Sequence, residues 1–358
     1  MKRRILFIHK TQFGYHTNSF MHCYYLRDKY DISYLCFDSG KKKIGMDGIK
    51  IIYISSGGYY FIRGIRFMIY SLFRSFFFRG IIFVFYFPGS EWYKKLLPLK
   101  KMILDIRTGG VCFNLSENLK FNLKLTKTAL LYDHITVLAK GLADKLKLPP
   151  YKTTIVPLGA NPVSKIKKRL DTLRLFYIGT LSDRNIEKTI YGLSKFVELH
   201  RNIKITYDIV GDGYYNEVEK FKKLSDRLGL QDIVKIHGSI PYTKTKPFFD
   251  NCNIGVSFVP ISDAQEYQPI TKTYEYIMSG IYTIATATYE NKRVINEQNG
   301  IVIKDSSDDF CRALTYISEN REKISMLNIS NTLTEYKWSN IVNNTLYPLL
   351  TKLEKEWF

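Results

Sequence analysis

The 358-residue chain has few cysteines, only three tryptophans and, in its first half, few acidic groups. Its five cysteines (Cys23, Cys36, Cys112, Cys252, Cys311) are scattered, odd in number and form no C-x-x-C pair. This excludes a zinc framework or disulfide scaffold and fits buried thiols in a reducing compartment. No H-E-x-x-H, P-loop, Ser-His-Asp or Cys-His arrangement is readable, and there is no low-complexity tract or convincing repeat between the halves. The opening "MKRRILFIHKTQF" has a basic start but only four apolar residues before His9 and Lys10. A secretory signal needs a longer apolar run, so a cytoplasmic protein is expected.

Long uncharged apolar runs are missing too. "FIRGIRFMIYSLFRSFFFRG", residues 61–80, has the length of a membrane span but carries Arg63, Arg66, Arg74 and Arg79. Near the centre of a bilayer, arginines cost about 2.5–3.5 kcal/mol each. A span is excluded on that ground. Wound at about 100° per residue, the segment puts Ile62, Ile65, Ile69, Leu72, Phe73 and Phe76 on one side. Arg63, Arg66, Tyr70 and Arg74 fall on the other, flanked by Phe67, Phe77 and Phe78. The isoleucine side is expected to pack on a sheet. Arg63, Arg66, Phe67, Arg74, Phe77 and Phe78 are then expected to point outward, as a solvated basic face or as contacts to a membrane surface.

The charge is uneven. Residues 1–170 hold 30 Lys+Arg against 9 Asp+Glu, a net +21, whereas residues 171–358 hold 23 against 24, a net −1. A field of that size attracts a polyanion. The arginine–phenylalanine segment lies in the same half, which favours an anionic membrane surface over nucleic acid.

What is present is a repeated strand–helix alternation. "RRILFIH", "YDISYLCFD", "IKIIYIS", "GIIFVFYF", "KKMILDIR", "HITVLA" and "KTTIVPLG" read as strands in the first half. They are mostly continuous apolar runs, as in parallel strands covered on both faces, and helical segments separate them. Residues 159–172, "GANPVSKIKKRLDT", lack apolar periodicity and read as a linker. A second series follows, with strands in "LRLFYIG", "IKITYDIVGDG", "IVKIHGS", "NIGVSFVP", "YTIAT" and "GIVIK" and helices over 186–200, 215–228 and 272–279. The expectation is α/β, two doubly wound Rossmann-like domains facing across a cleft, with ligands at the carboxyl ends of the strands.

Several segments carry chemistry. In "YIGTLSDRNIEKTI" a strand ends at Gly179, and Arg184 and Lys188 stand at the start of a helix, a setting for a diphosphate. "VGDGYYNEVEKF" places Gly211 between strand and helix, but it lacks dinucleotide G-x-G-x-x-G spacing and reads equally as a tight turn. "IHGSIPY" puts Gly238 at a strand end, where backbone can approach a flat ring. In "QPITKTYEYIMSG", Thr271 and Thr273 can cap a helix, Lys272 adds a cation at the same end, and Glu275 lies one turn in. Phosphates at the helix tip and a ribose diol at the carboxylate fit a nucleotide diphosphate. His16 after the first strand, and Asp105 with Arg107 at the end of "ILDIR", are polar groups expected at the cleft from the first domain.

The order and spacing of "FYIGTLSDRNIEK", "DIVGDG", "LGLQDIVKIHGSIP", "PITKTYEYIMSGIYTIAT" and "NGIVI", over Leu173–Ile303, resemble glycosyltransferase family four, the glycosyl transferases group 1 domain of the GT-B enzymes. The late "YKWSNIVNNTLYPLL" is similar to the start of that family's closing helix. The resemblance implies a first domain over 1–163, a donor domain over 164–339 and a closing helix, about 340–358, that packs back on the first. It implies that Arg184 and Lys188 hold the donor diphosphate, that Gly238 and Ser239 border the base, and that Glu275 binds the ribose. Gly14 would let the first loop approach the donor, and His16, Asp105 and Arg107 are the catalytic candidates. The chain departs from the family pattern in having Thr180 where arginine is frequent. It has Tyr267 where a second glutamate is common, with Glu266 one position off, and Arg107 where many members have histidine.

These readings converge on a nucleotide-sugar-dependent glycosyltransferase acting on a lipid-linked or glycan acceptor at the cytoplasmic membrane face, in surface polysaccharide synthesis. Retention of configuration is implied by the family alone. No Asp-x-Asp stands in a strand-end loop, so neither a metal nor a cofactor is expected beyond the nucleotide sugar itself. A nucleotide-sugar epimerase of the same double fold and a catalytically silent polyanion- or membrane-binding protein are the alternatives.

Overall fold

The computed structural model describes residues 3–111 and 114–358, so Cys112 lies outside the described residues. Strands β1 (Arg3–Ile8), β2 (Tyr30–Asp38), β3 (Ile49–Ser55), β4 (Ile81–Phe85), β5 (Met102–Ile106), β6 (His134–Val137) and β7 (Thr153–Ile155) form one sheet in the order β3-β2-β1-β4-β5-β6-β7. Strands β8 (Leu173–Ile178), β9 (Ile205–Val210), β10 (Val234–Gly238), β11 (Ile254–Ser257), β12 (Tyr282–Thr286) and β13 (Gly300–Ile303) form a second, in the order β10-β9-β8-β11-β12-β13. Neighbouring strands pair in parallel throughout both sheets. The central runs IIFVF and MILDI are buried at every position, as two-sided coverage by helices requires. In each sheet the strand order reverses once, between β1 and β4 and between β8 and β11. Crevices for ligands form at such reversals.

The chain divides into two compact units. The first comprises residues 1–158 and 338–358, the second 159–337. The C-terminal segment belongs to the first unit because Trp338 is buried against His22, with ring centres 6.0 Å apart, and Arg3 pairs with Glu354 at 2.9 Å. Cys23, Cys36, Cys252 and Cys311 are buried free thiols.

The helix Tyr60–Phe77 corrects the orientation expected from periodicity. Its sheet-facing stripe is Phe67, Ser71, Ser75 and, at the C-cap, Phe78, all buried. Phe67 and Phe78 therefore do not point outward. Phe67 is 0% exposed and packs on Phe37 at 4.5 Å and Phe87 at 5.8 Å. The expected core side is turned away: Ile62, Ile65, Ile69, Phe73 and Phe76 are exposed, Ile69 by 63% and Phe73 by 61%. The serines explain the choice. The Ser71 hydroxyl reaches the Phe67 carbonyl at 2.6 Å and the Tyr93 hydroxyl at 2.6 Å, and Ser75 donates to the Ser71 carbonyl at 2.7 Å. Hydroxyls satisfied inside the helix can be buried cheaply, and small side chains let the helix lie close to the sheet. Of the other residues read as outward, Arg66 and Phe77 are exposed, while Arg63 and Arg74 are half-buried.

Candidate functional site

In the second unit the candidate groups gather where the strand order reverses. After β8 the chain turns through Gly179, and Arg184 sits between Asp183 and Asn185, both left-handed at φ 60° and 54°. Short polar side chains of this kind tolerate that region best after glycine. The turn leaves Arg184 half-buried, beside Lys272 at the start of the helix Thr271–Met278. Lys272 Nζ stands 3.5 Å from the centre of the Tyr177 ring, a cation–π contact. Burial pushes the pKa of Lys272 well below the usual lysine range, and the Arg184 charge lowers it further. Two basic groups therefore crowd one site, each raising the cost of the other's charge. An anion placed between them relieves that repulsion.

Backbone permits this closeness. At Gly211, φ is +153°, and a Cβ would overlap the Gly179 carbonyl, so the β8 and β9 turns touch only because glycine stands there. The Tyr177 hydroxyl donates to the Thr180 carbonyl at 2.7 Å and fixes the turn from below. Gly238, at φ +70°, ends β10, and Ser239 beside it is exposed.

Glu275 lies one turn beyond Lys272, half-buried, and its Oε1 accepts from the Tyr242 hydroxyl at 2.6 Å. Burial raises its pKa to about 7, against a smaller downward pull from that hydrogen bond. A carboxylate near a tyrosine hydroxyl offers its second oxygen to a diol. Thr273 differs from the capping role expected of it. It is fully buried, bonded to the Ser257 hydroxyl at 2.7 Å and to Asn291 at 3.0 Å, and the helix starts at Ile270 without a side-chain cap. Lys188 is tied to the Asp305 carbonyl at 2.8 Å, so Arg184 is the member of that pair set beside Lys272. Tyr177 and Tyr242 had not been singled out in the sequence. Their only signal was position, one before the strand's end and one after Gly238.

The first unit holds the other candidates. Asp105 is buried, accepting from Arg107 Nε at 2.6 Å and from the Thr136 hydroxyl at 2.5 Å. Arg107 also reaches the Val156 carbonyl at 2.9 Å. Both Asp105 oxygens are thus occupied, and its place is to orient Arg107. His16 caps helix α1 (Thr17–Leu26), its Nδ1 accepting from the Ser19 N–H at 3.3 Å, and stacks on His9 at 4.4 Å. Burial and the Arg107 charge lower its pKa to about 4, against a smaller upward pull from Asp105, so its ring is neutral near pH 7 with the proton on Nε2. Gly14, at φ +90°, has a local reason: a Cβ there would meet Ile44 Cδ1 at 2.5 Å.

Residues 163–332 match the protein family described as Glycosyl transferases group 1. The second unit is a group 1 glycosyltransferase domain. The whole chain shares its fold with solved structures of low identity. A sucrose-phosphate synthase from Thermosynechococcus elongatus aligns over 98% of this chain and 99% of its own at TM-score 0.77 and 14% identity. HepE of Anabaena, solved with UDP and glucose, aligns over 98% and 100% at 0.72 and 12%. The lipopolysaccharide outer core galactosyltransferase WaaB aligns over 98% and 99% at 0.70 and 15%. No curated protein matches the sequence. The whole chain has the GT-B fold of these structures, and the group 1 match lies within its second unit.

Proposed function

We propose that the chain transfers a hexose-type sugar from a nucleoside diphosphate donor to a lipid-linked or glycan acceptor at the cytoplasmic face of a membrane, in surface polysaccharide synthesis and with retained configuration. The observation that carries the donor half is the Lys272–Arg184 pair at the β8/β11 reversal, two basic groups crowding one site. When the sugar–diphosphate bond breaks, its electron pair leaves on the diphosphate while the sugar gains oxocarbenium character. Fixed cations there stabilise the growing negative charge without reorganising. They can supply what a divalent ion often does, so a chelator should leave turnover standing; loss on EDTA, restored by one metal, overturns that part of the reading. Glu275 would hold the ribose, and Arg107, oriented by Asp105, and neutral His16 would be the first unit's catalytic candidates.

The acceptor half draws on the helix Tyr60–Phe77. No helix among the described residues is long and apolar enough to cross a membrane. This one instead exposes an isoleucine–phenylalanine stripe beside Arg66 and Arg74, suited to lying in an interface. The first unit holds 28 Lys+Arg against 11 Asp+Glu, which would favour an anionic leaflet.

A thermal-shift screen over UDP, GDP and ADP and their sugars tests the donor assignment. UDP is the first choice because HepE, of the same fold, was solved with it. Stabilisation by a nucleotide, and its release from the sugar donor on adding a membrane extract, is the expected result. Nucleotide binding without release points to the silent binder, and no nucleotide binding at all overturns the reading.

A further inference from the structure

The first unit has its own reversal of strand order, between β1 and β4, and something should occupy it. The loop after β1 brings Lys10 there, and the loop after β4 brings Pro88 and Gly89, both against the first turns of the helix Tyr60–Phe77. Together they enclose a cavity of about 440 Å³, a size usual for small-molecule sites. Its walls are apolar: Phe37, Phe61, Ile65, Met68, Ile69 and Phe87. Its charge is of one sign, from Lys10 and Arg63, and no carboxylate lines it.

Lys10 is poorly served by the protein. Its Nζ lies 4.4 Å from the centre of the Phe87 ring and reaches the Pro88 carbonyl only at 3.5 Å. Burial lowers its pKa, and the Arg63 charge lowers it further. An anion would reverse both effects. Ile65 and Ile69 line the cavity and also belong to the exposed stripe of the helix, so the apolar wall continues onto the surface. Six apolar walls leave little to bond a sugar's hydroxyls, and a free phosphate would leave those walls uncovered.

We propose that this cavity binds a membrane lipid by its phosphate head, held by Lys10 and Arg63, with the hydrocarbon chain running along Phe61, Ile65 and Ile69. The assignment rests on the first unit being the acceptor-facing and membrane-facing half. It gives that half a specific lipid seat in addition to a general attraction to anionic surfaces.

Titration calorimetry of the full chain with dodecyl phosphate, below its micelle concentration, tests it. Dodecyl phosphate should bind, and inorganic phosphate and uncharged dodecyl maltoside should bind at least about tenfold more weakly. Lys10→Ala and Arg63→Ala should each weaken dodecyl phosphate by about tenfold, the scale of one charge-assisted hydrogen bond. Met68→Trp, which fills the cavity, should do so too. UDP affinity, followed in the same samples, should not move and reports that each variant is folded. Equal dodecyl phosphate binding by wild type and variants, absence of binding, or equal affinity for inorganic phosphate overturns the proposal. Dodecyl phosphate binding that follows this pattern in a chain that ignores every nucleotide supports the lipid seat while overturning the donor reading alone.

Discussion

The two units share the strand order 3-2-1-4-5-6 in local numbering, to which the first adds a seventh strand, yet their reversal points carry opposite chemistry. In the second unit, which is nearly neutral with 25 Lys+Arg against 22 Asp+Glu, two basic side chains stand together. In the first, which is strongly basic, the reversal opens into an apolar cavity with Lys10 and Arg63 among its walls. Topology places the reversal; the residues that surround it set its chemistry. Net charge predicts neither, because the Lys272–Arg184 pair lies in the unit with almost none.

The largest contrast to test is within the helix Tyr60–Phe77 itself. Phe67 is 0% exposed and Phe77 66% exposed, although both had been assigned to one outward face. Phe67→Ala should cost about 3–5 kcal/mol of stability, the usual range for a buried phenylalanine. Phe77→Ala should change it by less than about 0.5 kcal/mol, as surface positions do. Urea unfolding of both variants decides the orientation, and similar losses would return the helix to the expected rotation.

Lys272→Ala should then lower kcat by about 10²–10³-fold, the scale of removing one preorganised donor facing developing charge. Arg184→Ala should follow in the same direction, with smaller changes in the affinity for nucleotide alone. Equal losses in nucleotide affinity with kcat untouched would reduce both cations to ground-state binders.

Changing Ile65, Ile69 and Phe73 together to Ser addresses the first unit. Sedimentation with anionic liposomes should fall by on the order of a hundredfold, since each buried apolar side chain is worth about 1.5–3 kcal/mol and insertion is partial. Arg63, Arg66 and Arg74 changed to Ser should lose a similar amount, about 1 kcal/mol per charge, and this loss, unlike the apolar one, should vanish in high salt. Donor affinity should survive in both. If the isoleucine variant sediments like wild type, the exposed stripe has another use.

The helix Tyr60–Phe77 marks the limit of what periodicity can carry. Periodicity separates two faces but does not say which is the core, and the side without arginine is the one expected to be buried. That rule holds when the other side meets water. Here Ser71 and Ser75 hide their hydroxyls in their own helix, so the lean face fits the sheet and the rich face is left out. Strand runs such as IIFVF, by contrast, were legible because a fully buried parallel strand admits almost no polar residue. In the second unit the sequence places Arg184 in a turn before a helix and Lys272 in the first turn of another, and the structure sets the two side by side. Thr273 was misplaced because a threonine near a helix start looks the same whether it caps or faces inward. The Tyr242–Glu275 contact spans 33 positions and has no local signature.

Glu275 gives a smaller effect with a distinctive pH dependence. Its pKa is raised to about 7, above that of an unfolded glutamic acid, so the folded state prefers the neutral form. Its contribution to stability is therefore present at low pH and lost as pH rises toward 7. Donor binding should run the other way, because the ionised carboxylate is the better acceptor for a diol. Affinity for the nucleotide sugar should rise between about pH 6 and 8 and be flat in Glu275→Gln, with Glu275→Ala about tenfold weaker at the higher pH. A parallel rise in the Gln variant would assign the titration elsewhere.

The smallest effect expected is an absence, and it bears on the first unit's catalytic candidates. An exposed histidine at position 16 would give the pH–rate profile an acid limb near 6.5. His16 is instead half-buried, and burial with the nearby Arg107 charge lowers its pKa to about 4. Its Nδ1 accepts from the Ser19 N–H, a bond that holds the neutral ring with its proton on Nε2, aimed as a donor rather than a base. Once the Glu275 limb has been removed by Glu275→Gln, kcat/KM should therefore stay level from about pH 8 down to about 5. Arg107→Ala should lift the His16 pKa by removing the positive charge nearby, and a limb should then enter from the acid side. If wild-type kcat/KM already falls near pH 6.5 in the Glu275→Gln background, a group other than His16 controls the acid side. Nuclear magnetic resonance titration of the histidines would then show which one, since His9 and His22 are buried and held low as well.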